Sequence, residues 1–193
     1  MTYFPFWKGL AMTKEGTLSF ADMLLESPIG TELTQDECQT LAPLFSEREY
    51  KGGDCIFEEG APGNGVYVIC SGSVRIDKKT AKGDYSEIAV LKMGDLFGEL
   101  SLVTDLPRSG RVTMASDGNL AHLSLESFSG LATDDLKLHT KLVHTLGALA
   151  CRRLSTTTLQ VAKLLCKVET VKGDVSALSE QMADAKKGML GFA

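Results

Sequence analysis

The sequence predicts a mainly β fold with flanking α: an antiparallel β jelly roll (double-stranded β-helix) with N-terminal helices and a long C-terminal coiled-coil helix. Three observations predict it. Between Tyr50 and Leu125, short runs of Val, Ile, Tyr and Phe recur at 8- to 15-residue spacing, separated by Gly-, Asp- and Asn-rich turns. That texture belongs to an antiparallel sandwich, barrel or jelly roll. Ahead of it, apolar residues recur at helical spacing. Behind it, an apolar seven-residue repeat runs without a slip for more than five heptads, which is the pattern of a coiled coil.

The elements follow in order. Residues 1–30 are an N-terminal arm, in which Tyr3-Phe4-Pro5-Phe6-Trp7 reads either as a terminal arm packing on its own domain or as a partner-docking motif. Helical spacing covers Ser19 to Leu25 and Thr34 to Phe45. Thr34 and Glu37 make a Thr-x-x-Glu capping box, and Leu41, Leu44 and Phe45 are the expected buried stripe. The jelly-roll domain is expected over 31–133. Its strand candidates are Asp54–Phe57, Gly65–Cys70, Ser73–Asp77, Ser86–Leu91, Gly110–Met114 and Asn119–Leu125. Glycines fall where turns must be, because glycine adopts positive φ at low steric cost.

A short helix is expected over Glu126–Leu131, with Asp134 or Asp135 capping a longer one over 134–187 and a tail at 188–193. Positions 143, 147, 150, 154, 157, 161, 164, 168, 171, 175, 178 and 182 step alternately by four and three, and only Gly147 and Thr157 interrupt their apolar character. Packing on the chain's own sandwich would account for the first turns, but not for a stripe continuing past Val161. A homodimer through this helix is therefore expected. Gly173-Asp174 is its weak point, and the unbroken heptad phase favours continuity.

Composition narrows the function. The chain has 193 residues, about one domain and a remainder. Apolar residues are 44% and charged residues 23%, an ordinary soluble balance. A net charge of −5 lacks the basic footprint of most nucleic-acid-binding domains. No apolar run approaches the roughly 18 residues of a membrane span, and the N-terminus does not read as a secretory signal. Five scattered cysteines without a C-x-x-C pair read as reduced thiols, so a cytoplasmic location is expected. A cupin-like metalloenzyme would need converging ligands. His122 lies on a strand candidate, while His139 and His144 are five apart on a helix. No nucleophile–base arrangement stands out, so no enzymatic activity is expected.

The chemistry concentrates between Gly94 and Val112. This stretch reads as a strand end, a short helical turn from Gly98, a loop and a return strand. Unpartnered amides at the start of a helix favour an anion. Arg108 offers a planar fork suited to phosphate, and Glu99 can accept from hydroxyl groups. Together they suit a sugar phosphate. Spacing alone equally allows a surface ion pair between Glu99 and Arg108 on a glycine-rich turn, and favours it.

The segment Phe97-Gly98-Glu99-Leu100 through Pro107-Arg108-Ser109 resembles the phosphate-binding cassette of the cyclic-nucleotide-binding domain, the family of protein kinase A regulatory subunits, cyclic-nucleotide-gated channels and bacterial catabolite activator proteins. Gly53-Asp54-x-Ile56-Phe57-x-Glu59-Gly60 and Tyr67-x-Ile69-x-Ser71-Gly72-x-Val74 resemble its early strands. The resemblance covers about Thr34 to Leu165. It implies that Glu99 holds the ribose 2′-hydroxyl and that Arg108 pairs with the cyclic phosphate. It also implies that amides near Gly98, Leu100, Ser101 and Ser109 bind phosphate or ribose, with the Ser109 hydroxyl adding a phosphate bond.

Arg152 to Thr158 resembles the long helix of catabolite activator proteins. There, hydroxyl residues at the positions of Thr157 and Thr158 reach the adenine, one from each subunit, and an Arg at the position of Arg153 lies near the cassette Glu. Thr157-Thr158 also reads as a polar layer that sets coil register. Gly110 and Arg111 depart from the family pattern without removing a ligand-contacting side chain, and Arg111 is expected to point outward. Ser109 after the phosphate Arg resembles bacterial cAMP binders, so cyclic AMP is the expected ligand and cyclic GMP the alternative. No cofactor or metal is expected.

A DNA-binding regulator of this family would carry about 60 to 70 further residues as a helix-turn-helix. Only 28 follow Leu165, and they keep the heptad phase. DNA binding by this chain is therefore not expected, and the output would pass to an unknown downstream protein. A ligand-free dimerisation or scaffold module is the remaining alternative.

Overall fold

The computed structural model describes residues 12–13, 16–17, 19–104 and 106–190, and the side chains of 19–104 and 106–182. The aromatic cluster at Tyr3–Trp7 lies outside the described residues. The chain divides into two units, Met1–Ala150 and Cys151–Ala193.

The first unit begins with a minimal hairpin, β1 (Met12–Thr13) and β2 (Gly16–Thr17). Helix α1 (Phe20–Glu26) is capped by Ser19 in a capping box with Asp22. A 3-10 turn at Pro28–Glu32 leads to α2 (Gln35–Leu41). The Thr34–Glu37 box forms as the sequence predicts, each side chain bonded to the other's backbone amide. The expected helix to Phe45 stops sooner. Pro43 lies in a second 3-10 turn, Ala42–Leu44, and Phe45 opens a strand. Proline cannot supply the amide that an α-helix needs at its interior. Leu41 is fully buried, whereas Leu44 and Phe45 are half-buried.

Eight strands follow: β3 (Phe45–Tyr50), β4 (Cys55–Phe57), β5 (Gly65–Ile69), β6 (Ser73–Lys79), β7 (Tyr85–Lys92), β8 (Leu96–Phe97), β9 (Arg111–Met114) and β10 (Gly118–Ser124). All six expected strands are among them. They form two antiparallel four-stranded sheets, ordered β3-β10-β5-β8 and β4-β9-β6-β7. Counting from β3, these orders are 1-8-3-6 and 2-7-4-5, the paired Greek keys of a jelly roll.

Strand β5 shows why its sequence reads as a continuous apolar run. All five residues are buried, because alternate side chains enter different cores. Tyr67 and Ile69 join Val74, Phe97, Val112, Met114 and Leu120 between the sheets. Val66 and Val68 face the helical side, with Leu24, Ile29, Leu41, Leu123 and Phe128. Residues 20–30, read from the sequence as part of an arm, contribute Phe20, Ala21, Leu24 and Ile29 to that helical core.

Helix α3 (Leu100–Val103) is a single turn, α4 covers Leu125–Asp134, and α5 runs unbroken from Leu136 to Leu190 through Gly173. Asp135 caps α5 by accepting from the Leu138 amide. Within the first unit, α5 packs through Leu138, Leu142, Leu146 and Leu149. The heptad seam lies one position further on, and Val143 is exposed. The first turns therefore use a different stripe for the domain, which corrects the reading that the seam itself packs there. In the second unit, seam residues from Leu154 to Met182 are exposed, between 49% at Val161 and 74% at Met182. No helix among the described residues is long and apolar enough to cross a membrane.

Candidate functional site

The cassette is shaped by two glycine-dependent turns. Gly98 has φ +81° and ends β8, and a Cβ there would collide with the Arg108 guanidinium. Gly63 lies against Ser101, whose side chain would overlap any Cβ at that position. The loop of Gly60 to Gly65 and the cassette are stitched together by main-chain bonds. Gly60 N donates to Arg108 O, and Arg108 N donates to Ala61 O, both at 2.9 Å. Lys78 Nζ donates to Ser109 O at 2.6 Å and pairs with Glu59 at 2.7 Å.

These turns bury the two charged residues that the sequence singles out. Arg108 is 4% exposed and Glu99 5%. A surface ion pair is therefore not what they form. Arg108 Nη1 donates to Gly98 O and to Ser101 Oγ, both at 2.9 Å. Nη2 donates to Asn64 Oδ1 at 2.6 Å and to Gly65 O at 2.9 Å. All four acceptors are neutral oxygens. Nε is buried without a hydrogen-bond partner among the described residues. The guanidinium carbon stands 4.1 Å over the Phe57 ring and 5.8 Å from the Tyr67 centroid, a cation–π arrangement. Burial pushes the guanidinium pKa down, with the Tyr67 and Glu99 charges opposing. Arginine nevertheless stays charged in proteins. A buried permanent charge is costly unless an anion compensates it, so this pocket is electrostatically suited to one.

Other predicted residues fall as follows. Leu100 opens α3 and is half-buried, Ser101 is buried with its hydroxyl donating to Gly98 O at 2.9 Å, and Ser109 is exposed. Gly98, Ser101 and Arg108 are thus brought into one hydrogen-bonded cluster. Arg153, Thr157 and Thr158 belong to the second unit, on α5. Arg153 is half-buried, the two threonines are exposed, and Thr157 Oγ1 donates to Arg153 O at 2.9 Å. Arg111 lies over the Tyr85 ring, 3.7 Å from Glu58, on the outer side of the sheet. The histidines have separate surroundings: His122 stacks on Tyr67, His139 lies against Phe128, and His144 pairs with Glu32.

The sequence reading missed Asn64, Gly65, Phe57 and Tyr67 as parts of the Arg108 setting. The one available signal was Gly63-Asn64-Gly65, a polar residue between two glycines immediately before a fully buried strand.

Comparison with known proteins identifies the frame. Residues 47–135 match the family model described as the cyclic nucleotide-binding domain. These residues form a cyclic nucleotide-binding domain. The chain is 34% identical over 108 residues to a cAMP-dependent protein kinase regulatory subunit of Yarrowia lipolytica, covering 56% of this chain and 28% of that protein. A cyclic AMP receptor protein of Thermus thermophilus is 31% identical over 135 residues, covering 70% of this chain and 61% of the relative. The crystal structure of the Thermus thermophilus catabolite activator protein superposes with a TM-score of 0.64 at 33% identity, covering 72% of this chain and 63% of that one. The chain thus spans from about a quarter to three fifths of these curated relatives. The cyclic nucleotide-binding domain contains the whole cassette, and in the relatives it serves regulatory proteins.

Proposed function

We propose that this protein is a non-enzymatic cyclic-nucleotide sensor of the cytoplasm, with cyclic AMP as first ligand and cyclic GMP as the alternative. Arg108 holds the cyclic phosphate, Glu99 the ribose 2′-hydroxyl, and the amides at Gly98, Leu100, Ser101 and Ser109 complete the phosphate and ribose contacts. The observation that carries this reading is the Arg108 setting: a buried permanent charge on neutral oxygens, with a buried unpartnered Nε, beside a buried Glu99. An anionic ligand adds to the compensation that the Glu99 charge gives. The roles of Arg153, Thr157 and Thr158 near the base rest on resemblance to catabolite activator proteins.

Output passes along α5, as a homodimer, to a downstream protein. Ligand contact with both cassette and helix gives the differential interaction needed to shift a two-state equilibrium. The exposed seam supports pairing. In one heptad frame, Val161, Val168 and Val175 fall at successive a positions, and Leu164, Val171 and Leu178 at d, so two of the three d positions carry the leucine that favours two strands.

Calorimetric titration of ligand-free protein with cyclic AMP and cyclic GMP tests the reading. Heat is expected with cyclic AMP. A hydrogen bond to a charged group is worth about 1.5–3 kcal/mol, so Arg108→Ala should weaken binding about tenfold or more. No heat from either nucleotide at micromolar protein would replace the sensor by a ligand-free dimerisation module.

A further inference from the structure

We infer that His122 is a proton-linked positioning residue of the nucleotide site. It backs the Asn64–Gly65 turn that holds Arg108, and its protonation state sets how tightly the site holds an anionic ligand. This rests on the proposed nucleotide reading of the cassette.

The geometry comes from β10. His122 is the register partner of Tyr67 on β5 and of Ser46 on β3. It shares the inner face of β10 with Leu120, which lies in the core between the sheets. Its imidazole stacks on the Tyr67 ring, with centroids 4.3 Å apart and planes 23° apart. Tyr67 in turn flanks the guanidinium of Arg108. The other side of the imidazole meets the turn itself. A Cβ on Gly65 would come within 2.5 Å of His122 Nε2. Gly65 has φ +144° and its carbonyl accepts from Arg108. Asn64 supplies the neighbouring acceptor through its side chain, while its main-chain carbonyl accepts from Leu125 N. One imidazole therefore touches the residues that fix two of the four Arg108 bonds.

Its Nε2 is buried with no hydrogen-bond partner among the described residues. The charged groups that bear on it are Arg108 from the cassette and Arg48 from β3, and Tyr67 from β5 is the titratable group in direct contact. Burial holds the imidazole below the usual histidine range. The two arginines add to that effect, and the Asn64 main chain opposes it. In the empty site a proton on His122 is thus disfavoured by cations on two sides.

An anionic ligand at Arg108 offsets that positive field. Binding then raises the proton affinity of His122, and by reciprocity a proton on His122 raises ligand affinity. The sign is definite: affinity rises as pH falls through the imidazole's titration, with net proton uptake on binding. Histidine ordinarily changes charge between about pH 5 and 8, and burial moves this imidazole's change toward the acid end.

The test uses the full chain and cyclic AMP. Affinity is measured from pH 4.5 to 8 in two buffers of different ionisation enthalpy, and the three imidazoles are followed by NMR with and without nucleotide. Coupling of this kind typically amounts to about fivefold or more, so binding should tighten by about that factor at the acid end. One imidazole should titrate upward on binding. His122→Gln should abolish both the slope and the proton uptake while leaving the His139 and His144 signals in place. A wild-type affinity that is flat with pH, or a slope retained in His122→Gln, overturns this inference and leaves the nucleotide reading standing. Absence of binding at every pH overturns both. If His122→Gln fails to fold, the wild-type imidazole decides: a His122 signal unmoved by nucleotide refutes the linkage.

Discussion

The surroundings of Arg108 are built around its side chain. Two carbonyls, a serine hydroxyl and an asparagine side chain hold its fork, and an aromatic ring lies under it. Asn64 and Ser101 are the members whose side chains can be removed without touching the main chain, and Asn64 is the one that holds Nη2. Leaving a buried charged donor short of a partner costs about 1–3 kcal/mol. Asn64→Ala should therefore lower the stability of ligand-free protein by about that amount in urea unfolding. Saturating cyclic AMP should shrink the loss, because phosphate oxygens replace the missing acceptor. An equal loss with and without nucleotide would mean that the phosphate does not reach Nη2.

Among the elements, α2 and α5 are joined by a single acid that does two tasks. Glu37 closes the capping box on the Thr34 amide, and both of its oxygens accept from Lys141 Nζ on α5, at 2.8 and 2.7 Å. The Lys141 ammonium and then the Thr34 amide hold its carboxyl below the usual value of 4.5. A carboxyl depressed by folding stabilises the native state above its unfolded pKa, and that contribution is lost as pH falls through the folded value. Glu37→Gln should consequently lower stability at neutral pH and flatten the decline below pH 4.5. Thermal melts of the two proteins from pH 3 to 7 measure this, and parallel curves would deny the pair any part in acid sensitivity. The same helix α5 carries two stripes, since Leu138, Leu142, Leu146 and Leu149 bury against the domain while Val143 on the seam stays exposed.

At the scale of the molecule, the second unit is a helix whose apolar seam has exposed residues from Leu154 to Met182. Each buried leucine, valine or methionine side chain stabilises by about 1.5–3 kcal/mol, so pairing of the eight apolar seam positions offers a large driving force. Light scattering across a concentration series should give a dimer at micromolar protein. Leu164→Asp should shift it to monomer and leave the unfolding of the first unit unchanged. A wild-type monomer throughout would refute the paired helix.

What is local or periodic was legible along the chain. Glycine placement marked the turns, alternation and apolar runs marked six strands, Thr34 and Glu37 marked a helix start, and the cassette motif marked the candidate site. These signals survive in one dimension because they follow from backbone sterics and from periods of two and 3.6 residues. Strand β3 escaped notice because Phe45 continues a helical spacing and Ser46 to Glu49 are polar. Its place comes from pairing with β10, some seventy residues on. The burial of Arg108 and the identity of its neighbours came from the folded chain. Asn64 and Arg108 are 44 positions apart, and His122 meets Tyr67 only because β10 pairs with β5. Contacts of that kind depend on which strands become neighbours, and spacing along the chain does not encode it.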